Sequence, residues 1–260
     1  MIISLVSGSG APGVTTTALA LALHWPRPVI LLEADPSGAA AIQSGYLRGK
    51  RPRERSVADL ALALRTGDLA DNLPGVQMPL TDTATFIPGP RSHAQAAHAL
   101  LPLWHPLAAV LRDQGQQGVD VIIDAGRLGA EGHPDPLIQT SDMVLLVCRT
   151  TLPGIVGIRE WAAILRAQFI DAGVPDAAGL LTIGAGRPYT PGEISKLLDL
   201  PLIATLPSDP VAAEVYSLGT KPGHRHERAP LAKALPGAVE AIRHHVQRQA
   251  DVLQEATAND

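Results

Sequence analysis

Short apolar runs alternate with longer segments of helical periodicity along almost the whole sequence. The runs that predict β-strands are "IISLVS" (2–7), "VILLE" (29–33), "TATFI" (83–87), "VDVIID" (119–124), "MVLLVC" (143–148), "GLLTI" (179–183) and "LIATL" (202–206). The segments that predict helices lie near 15–24, 56–65, 92–114, 155–172, 191–198 and 231–255. Alternation of this kind is typical of an α/β fold, in which a mostly parallel sheet carries helices on both faces.

The composition agrees with one domain of this class. The sequence has 260 residues, of which 46% are hydrophobic and only 3% aromatic, so a core of Leu, Ile, Val and Ala is expected. Its 23 Pro and 24 Gly are spread over many connections and do not collect in one linker. We therefore expect a single domain over residues 1–260, with a C-terminal helix at about 231–255.

Charge, cysteine content and hydropathy narrow the class further. The formal net charge is -4 at pH 7, which argues against a surface made for nucleic acid throughout but allows local basic patches. The single cysteine, Cys148, lies in an apolar run, so we expect a buried side chain and no disulfide within the chain. No uninterrupted apolar stretch approaches the roughly 20 residues that span a bilayer. These features predict a cytoplasmic protein without membrane insertion.

The first predicted strand is followed by "GSGAPGVTTTALALAL" (8–23), a glycine-rich turn that leads into a helix. Such a helix start offers free N–H groups to an anion, and phosphate is the expected ligand. Gly8, Gly10 and Gly13 fit the G-x-G-x-x-G fingerprint of NAD(P)-dependent Rossmann oxidoreductases, and Glu33 follows where an acid would hold a ribose hydroxyl. The alternative is a P-loop, G-x-x-x-x-G-K-[ST], with Val14 at the lysine position.

The P-loop interpretation is supported by a resemblance to the ParA/MinD family of deviant Walker ATPases, whose loop reads K-G-G-x-G-K-[ST]-[ST]. Gly10, Gly13, Thr15 and Thr16 match this pattern, whereas Ser9 and Val14 replace its two lysines and Ala11 replaces a glycine. The resemblance therefore implies a nucleotide-binding loop formed by Gly8, Ser9, Gly10, Ala11, Pro12, Gly13, Val14, Thr15 and Thr16.

Later segments resemble the same family in the same order, from about residue 2 to 220. "LLEADPSGA" is similar to its L-x-D-x-D-P-Q-G stretch, and "VDVIIDAGR" resembles its Walker B strand. "SDMVLLVCRTTLPGI" and "LIATLPSDPVAAEVYSLG" resemble the next strand and turn and the late strand with its P-x-D turn. A set of matches in this order favours the ParA/MinD fold over the Rossmann alternative.

The resemblance implies specific roles for three residues. Thr15 would ligate the Mg²⁺ of bound ATP, Asp124 would support that metal through water, and Asp35 would act catalytically by positioning the attacking water. Each residue also has a purely structural interpretation. Asp35 before a proline suits a turn, Asp124 suits a cap on the loop after its strand, and Thr15 suits a helix start. The resemblance implies ATP and Mg²⁺ as possible cofactors.

Loss of both loop lysines predicts weak triphosphate binding and little or no ATP hydrolysis, because charge on the transferring phosphoryl group must be neutralised. Three arginines near the predicted strand ends are candidate replacements: Arg127, Arg149 and Arg187.

The family resemblance implies a homodimer that localises a cargo. With a degenerate loop, the chain resembles the pilus-localising TadZ members, and we expect a dimeric scaffold or nucleotide-sensitive switch. The cargo would be a plasmid, a chromosome region, or pilus or secretion machinery, reached through a protein cargo or adaptor. "RGKRPRER" (48–55) has five basic residues in eight and makes non-specific DNA a further expected partner.

Overall fold

The computed structural model describes residues 1–38, 40–50, 55–184 and 188–258, with side chains described to 255. Within these residues, eight strands form one sheet. The strands are β1 (Ile2–Ser7), β2 (Val29–Glu33), β3 (Met78–Pro79), β4 (Ala84–Ile87), β5 (Asp120–Arg127), β6 (Met143–Arg149), β7 (Ala178–Ile183) and β8 (Leu202–Leu206). Each predicted strand is present with its bounds shifted by at most three residues, and only the two-residue β3 was not predicted.

The sheet has the order β3-β4-β2-β5-β1-β6-β7-β8. All neighbouring strands are parallel except the β3–β4 pair. The register places Leu5 of the central β1 opposite Asp124 of β5 and Leu145 of β6. The expected α/β fold with a mostly parallel sheet is therefore confirmed, and β1 delivers the glycine-rich turn to the middle of its carboxyl edge.

Ten α-helices of the described residues cover the sheet. They are α1 (Val14–Leu23), α2 (Val57–Thr66), α3 (Leu69–Asn72), α4 (Leu101–Gln116), α5 (Asp135–Gln139), α6 (Leu152–Val156), α7 (Arg159–Asp171), α8 (Pro191–Leu198), α9 (Pro210–Ser217) and α10 (Pro230–Ala258). One apolar cluster packs α2 to α8 on one face of the sheet, and a second packs α1, α9 and α10 on the other. Alternate residues of β1 serve the two clusters, because Val6 joins the first and Leu5 the second.

Two of the predicted helices are interrupted. The segment predicted at 92–114 forms a π-helical turn at Gln95–Ala99 and then α4, because Pro102 has no N–H to continue the earlier turn. The segment predicted at 155–172 divides into α6 and α7 at Gly157, a residue type that weakens a helix interior. The second break bears on function, because it places the turn between α6 and α7 against the glycine-rich loop.

Candidate functional site

The loop after β1 has the backbone of an anion-binding turn. Gly10 and Gly13 have positive φ of 63° and 113°, a conformation that strains any residue with a side chain. Helix α1 begins directly after Gly13, and no side chain caps it. Within the described residues, the backbone N–H groups of Val14, Thr15 and Thr16 donate no hydrogen bond. These groups are therefore available to an anion at the positive end of the helix.

Thr15 and Asp124 come together beneath this loop. Asp124 is fully buried near the end of β5, and its carboxyl group interacts with the Thr15 hydroxyl. Its Oδ1 accepts a long bond of 3.3 Å from the Gly126 N–H, whereas its Oδ2 has no hydrogen-bond partner of good geometry among the described residues. A hydroxyl beside a buried carboxylate with an unsatisfied oxygen suits a hydrated Mg²⁺, which takes oxygen ligands. The residues present thus fit the metal that the sequence implied.

The environment of Asp124 shifts its ionisation. Desolvation by burial is the main cause that raises its pKa to about 7, and the negative charges of Asp35 and Glu33 raise it further. The Thr15 hydroxyl and the Gly126 N–H act in the opposite direction by stabilising the carboxylate. The site therefore disfavours the ionised form of Asp124 unless a cation offsets its charge.

Asp35 lies at the same edge but is held by the turn that it begins. Its Oδ1 accepts a 2.8 Å hydrogen bond from the Ser37 N–H, an Asx-type turn. A Cβ at Gly126 would overlap the Asp35 carboxyl group, and Gly126 has a positive φ of 70°, so only glycine fits opposite Asp35. Asp35 is therefore a turn residue, as its structural interpretation predicted. Its carboxyl group also lies close enough to Asp124 to raise the pKa of that residue.

Glu33 does not have the exposure that a ribose-binding residue needs. Its side chain is only 4% exposed, it lies opposite Asp124 in the β2–β5 register, and its Oε2 accepts a 3.0 Å bond from the Gly89 N–H. The carboxyl group thus joins β2 to the segment after β4. This geometry removes the main support for the dinucleotide interpretation.

The two positions that lack lysine differ in what surrounds them. Val14 is 7% exposed and packs in the apolar cluster with Ala18 of its own helix. Ser9 lies against the turn between α6 and α7, where a Cβ at Gly157 would overlap its hydroxyl. Neither side chain offers a positive charge to a bound phosphate.

Two cavities flank the loop. The larger, of about 320 Å³, is lined by Ser9, Gly10, Ala11, Pro12 and the start of α6. The smaller, of about 160 Å³, lies between Gly13, Thr16 and the late 207–210 turn. Arg149, at the end of β6, lines both. Arg127 is exposed at the end of β5 and lines neither, and Arg187 lies outside the described residues.

A tryptophan packs on the loop, and no pattern in the sequence predicts this contact. A Cβ at Gly8 would lie 2.6 Å from Cδ1 of Trp161, and a Cβ at Gly129 would lie 2.7 Å from Cζ2 of the same ring. Trp161 is half-buried in α7, whereas Trp25 and Trp104 are buried elsewhere. Its indole therefore joins the loop after β1 to the loop after β5 and can report on both.

The structure also bears on the cysteine, on clusters of metal-ligating side chains and on membrane-spanning helices. Cys148 is buried as expected, and burial raises the pKa of its thiol to about 12. Over the described ranges, no three His, Cys, Asp or Glu side chains group to hold a metal by themselves. None of the helices in the described part of the chain is both long and apolar enough to cross a membrane.

Comparison with known proteins identifies the fold. No protein-family model matches the sequence, and no curated protein matches it. The cell division ATPase MinD of Pyrococcus furiosus is similar in structure, with a TM-score of 0.69 and 20% identity over 94% of this chain and 98% of that one. A ParA family ATPase from Chlorobium tepidum has a TM-score of 0.70 and 15% identity over 92% and 98%. McdA of Cyanothece, solved as an ATP complex, has a TM-score of 0.66 and 16% identity over 93% and 95%.

Proposed function

Because the chain has the fold of the ParA/MinD ATPases, we propose that it is a positioning or partitioning protein of that type, with a nucleotide site that binds weakly and hydrolyses little or no ATP. The Rossmann oxidoreductase alternative is not favoured, since the similar structures are MinD, ParA and McdA proteins and Glu33 is buried. The proposed protein acts as a scaffold or a nucleotide-sensitive switch.

One observation carries the nucleotide site: the Thr15–Asp124 pair lies beneath a loop whose amides are unpaired. The amides would hold phosphate oxygens, while Thr15 and Asp124 would hold Mg²⁺ directly or through water. The metal would supply positive charge to the phosphates and to the carboxylates around it. A MinD from Pyrococcus horikoshii with this fold has been solved with Mg-ADP, which supports the same ligand here.

Weak hydrolysis follows from the charges of the site. Ser9 and Val14 supply none of the cationic charge that the family pattern places at both positions, and Asp35 is bound to its own turn. Each missing charge-assisted hydrogen bond costs about 1.5–3 kcal/mol, and the transition state needs such bonds more than the ground state does. Binding would thus survive better than turnover.

We place a homodimer contact on the loop side of the molecule. Leu152 and Val156 are 53% and 64% exposed and lie one helical turn apart on α6, the helix whose Pro153 and Gly154 line the same cavity as Ser9. An exposed apolar pair beside the nucleotide loop suits a contact that responds to nucleotide. The cargo would be reached through a protein partner, as in the complex of MinC with MinD from Aquifex aeolicus.

A basic surface favours DNA as a further partner. Arg48 Nε donates a 3.1 Å hydrogen bond to the Leu218 carbonyl, which joins the start of the basic run to the chain just before the 221–228 segment. That segment carries Lys221, Arg225 and Arg228, all exposed, and one acidic residue, Glu227. Residues 51–54 of the basic run lie outside the described residues. Clustered exposed cations of this kind bind phosphate backbones without sequence preference.

Calorimetric titration with ATP and Mg²⁺ tests the nucleotide site. We expect weak, Mg²⁺-dependent binding by the natural protein, loss of that binding in Asp124→Ala, and no change in Asp113→Ala, which removes an exposed carboxylate from α4. Equal binding by the Asp124 variant would reject the metal role. Saturable binding of NADH, followed by its fluorescence, would instead support the oxidoreductase alternative.

A further inference from the structure

We propose that Arg149 stands in for one of the two missing loop lysines, as a cation that contacts the phosphates of the bound nucleotide, and that the second charge stays missing. This inference rests on the proposed nucleotide site and adds a residue to it. In the family pattern that the sequence resembles, the cations belong to the loop, whereas here the cation would come from the neighbouring strand β6.

The sheet register places Arg149 beside the first vacant lysine position. β1 and β6 are parallel neighbours, and Val6 is paired with Leu146. Ser9 and Arg149 each follow their paired residue by three positions, Ser9 in the loop just after β1 and Arg149 as the last residue of β6. Adjacent strands lie about 4.8 Å apart, and both residues do line the same cavity of about 320 Å³.

Arg149 also reaches the other side of the loop. The cavity of about 160 Å³ between Gly13, Thr16 and the late turn has Arg149 in its wall as well. Pro12 is the one loop residue that shares both cavities with it. Arg149 therefore borders both sides of the turn whose amides are available to phosphate.

Its side chain has no competing partner in the described part of the chain. Arg149 is exposed and makes no ion pair or side-chain hydrogen bond there. In contrast, Arg27, Arg112 and Arg166 are each paired with an aspartate. An unpaired guanidinium beside an anion-binding turn is a strong donor for phosphate, because its planar fork matches two phosphate oxygens.

The charge of the site favours such a group. Glu33, Asp35 and Asp124 place three carboxyl groups at the same edge of the sheet, with Glu33 opposite Asp124 in the register and Asp35 against Gly126. A Mg²⁺-bound triphosphate still carries negative charge, so it would be repelled unless a protein cation offset it.

Trp161 fluorescence and calorimetry test this inference with two probes, Mg-ATP and inorganic tripolyphosphate. Arg149→Ala is expected to weaken binding of both by roughly 10- to 100-fold, the range for a lost charge-assisted hydrogen bond. Arg149→Lys keeps the charge and is expected to lose less. Arg65→Ala, which removes an exposed arginine from α2, is the matched control and should bind both probes as the natural protein does. Thermal unfolding confirms that each variant is folded.

The outcomes separate this inference from the proposed function. Binding of Mg-ATP that is unchanged in Arg149→Ala, or lost instead in Arg127→Ala, would overturn the role of Arg149 and leave the nucleotide site standing. Binding of tripolyphosphate but not Mg-ATP, lost in Arg149→Ala, would support Arg149 as a phosphate ligand and reject the nucleotide. A natural protein that binds neither probe would overturn both.

Discussion

The Thr15 hydroxyl and the Asp124 carboxyl group meet beneath the glycine-rich loop, although 109 residues separate them in the chain. Thr15 belongs to the first turn of α1 and Asp124 to β5, and the parallel pairing of β1 with β5 brings the two elements together. The pair joins a buried acid that lacks a full set of hydrogen bonds to a helix start with unpaired amides. Stability and ligand binding are therefore expected to depend on the same carboxyl group.

Asp124→Asn should stabilise the protein at neutral pH. A carboxyl group whose pKa is raised to about 7 holds its proton more tightly in the folded state than in the unfolded state. Its contribution to stability is therefore full at acidic pH and falls as pH rises from about 4 to 7. The expected difference between variant and natural protein at pH 8, measured by urea unfolding, is on the order of 4 kcal/mol.

The pH series distinguishes this effect from a general one. The stability of Asp124→Asn relative to the natural protein should grow between pH 5 and pH 8, whereas Asp113→Asn should show no such trend. If the stability of both variants follows the same pH dependence, the Asp124 carboxyl group is not the cause of the pH effect.

Restoring the lysines should strengthen nucleotide binding. In a Ser9→Lys, Val14→Lys variant, each new charge can form a charge-assisted bond, so Mg-ATP affinity by calorimetry should rise about tenfold or more. Because Val14 is buried, its replacement should also cost about 1–2 kcal/mol of stability. Hydrolysis need not return, since Glu33 and Ser37 also differ from the family pattern. An affinity equal to that of the natural protein would mean that the loop does not face the phosphates.

The proposed dimer contact can be tested by two substitutions of matched exposure. Val156→Glu introduces a charge beside the loop at a position that is 64% exposed, and Leu62→Glu does so on α2 at 63%. We expect light scattering to show loss of the dimer only in the Val156 variant. A strict monomer in the natural protein at high concentration, with and without ATP and Mg²⁺, would contradict the dimer itself.

DNA binding should depend on the exposed basic residues of the 48–50 and 221–228 segments. Lys50→Glu with Arg225→Glu should weaken binding to duplex DNA of any sequence and reduce the salt dependence, since each lost phosphate contact lowers its slope by about 0.9. Lys196→Glu with Arg65→Glu makes the same change of charge elsewhere on exposed helices. Equal losses in the two double variants would indicate a general charge effect and no specific surface.

The sequence predicted the sheet and its loop because these depend on local patterns. Apolar runs such as "MVLLVC" predict buried strands, and the spacing of Gly10, Gly13 and Thr15 predicts a turn before a helix. The breaks at Pro102 and Gly157 were missed, because apolar residues on both sides continue the helical period. At these two positions the tendency of Pro and Gly to interrupt a helix outweighs the apolar periodicity.

The contacts between distant segments could not be read from the sequence. Trp161 on Gly8, Ser9 on Gly157, and Glu33 on the Gly89 N–H all join segments at least 56 residues apart. Such contacts depend on how helices and turns pack on the sheet, and no local pattern encodes them. For the same reason, the sequence left Arg127, Arg149 and Arg187 equivalent, whereas the cavities favour Arg149 over Arg127; Arg187 lies outside the described residues.

The most direct test of a loop that can bind phosphate but lacks the charge for catalysis is phosphate release by the purified protein with ATP and Mg²⁺. We expect a rate at background, no higher than that of Asp35→Ala, because Ser9 and Val14 supply no charge and Arg149 would replace only one of the two lysines that neutralise the transferring phosphoryl group. Robust Mg²⁺-dependent release by the natural protein that Asp35→Ala abolishes would contradict this account and establish a working ATPase.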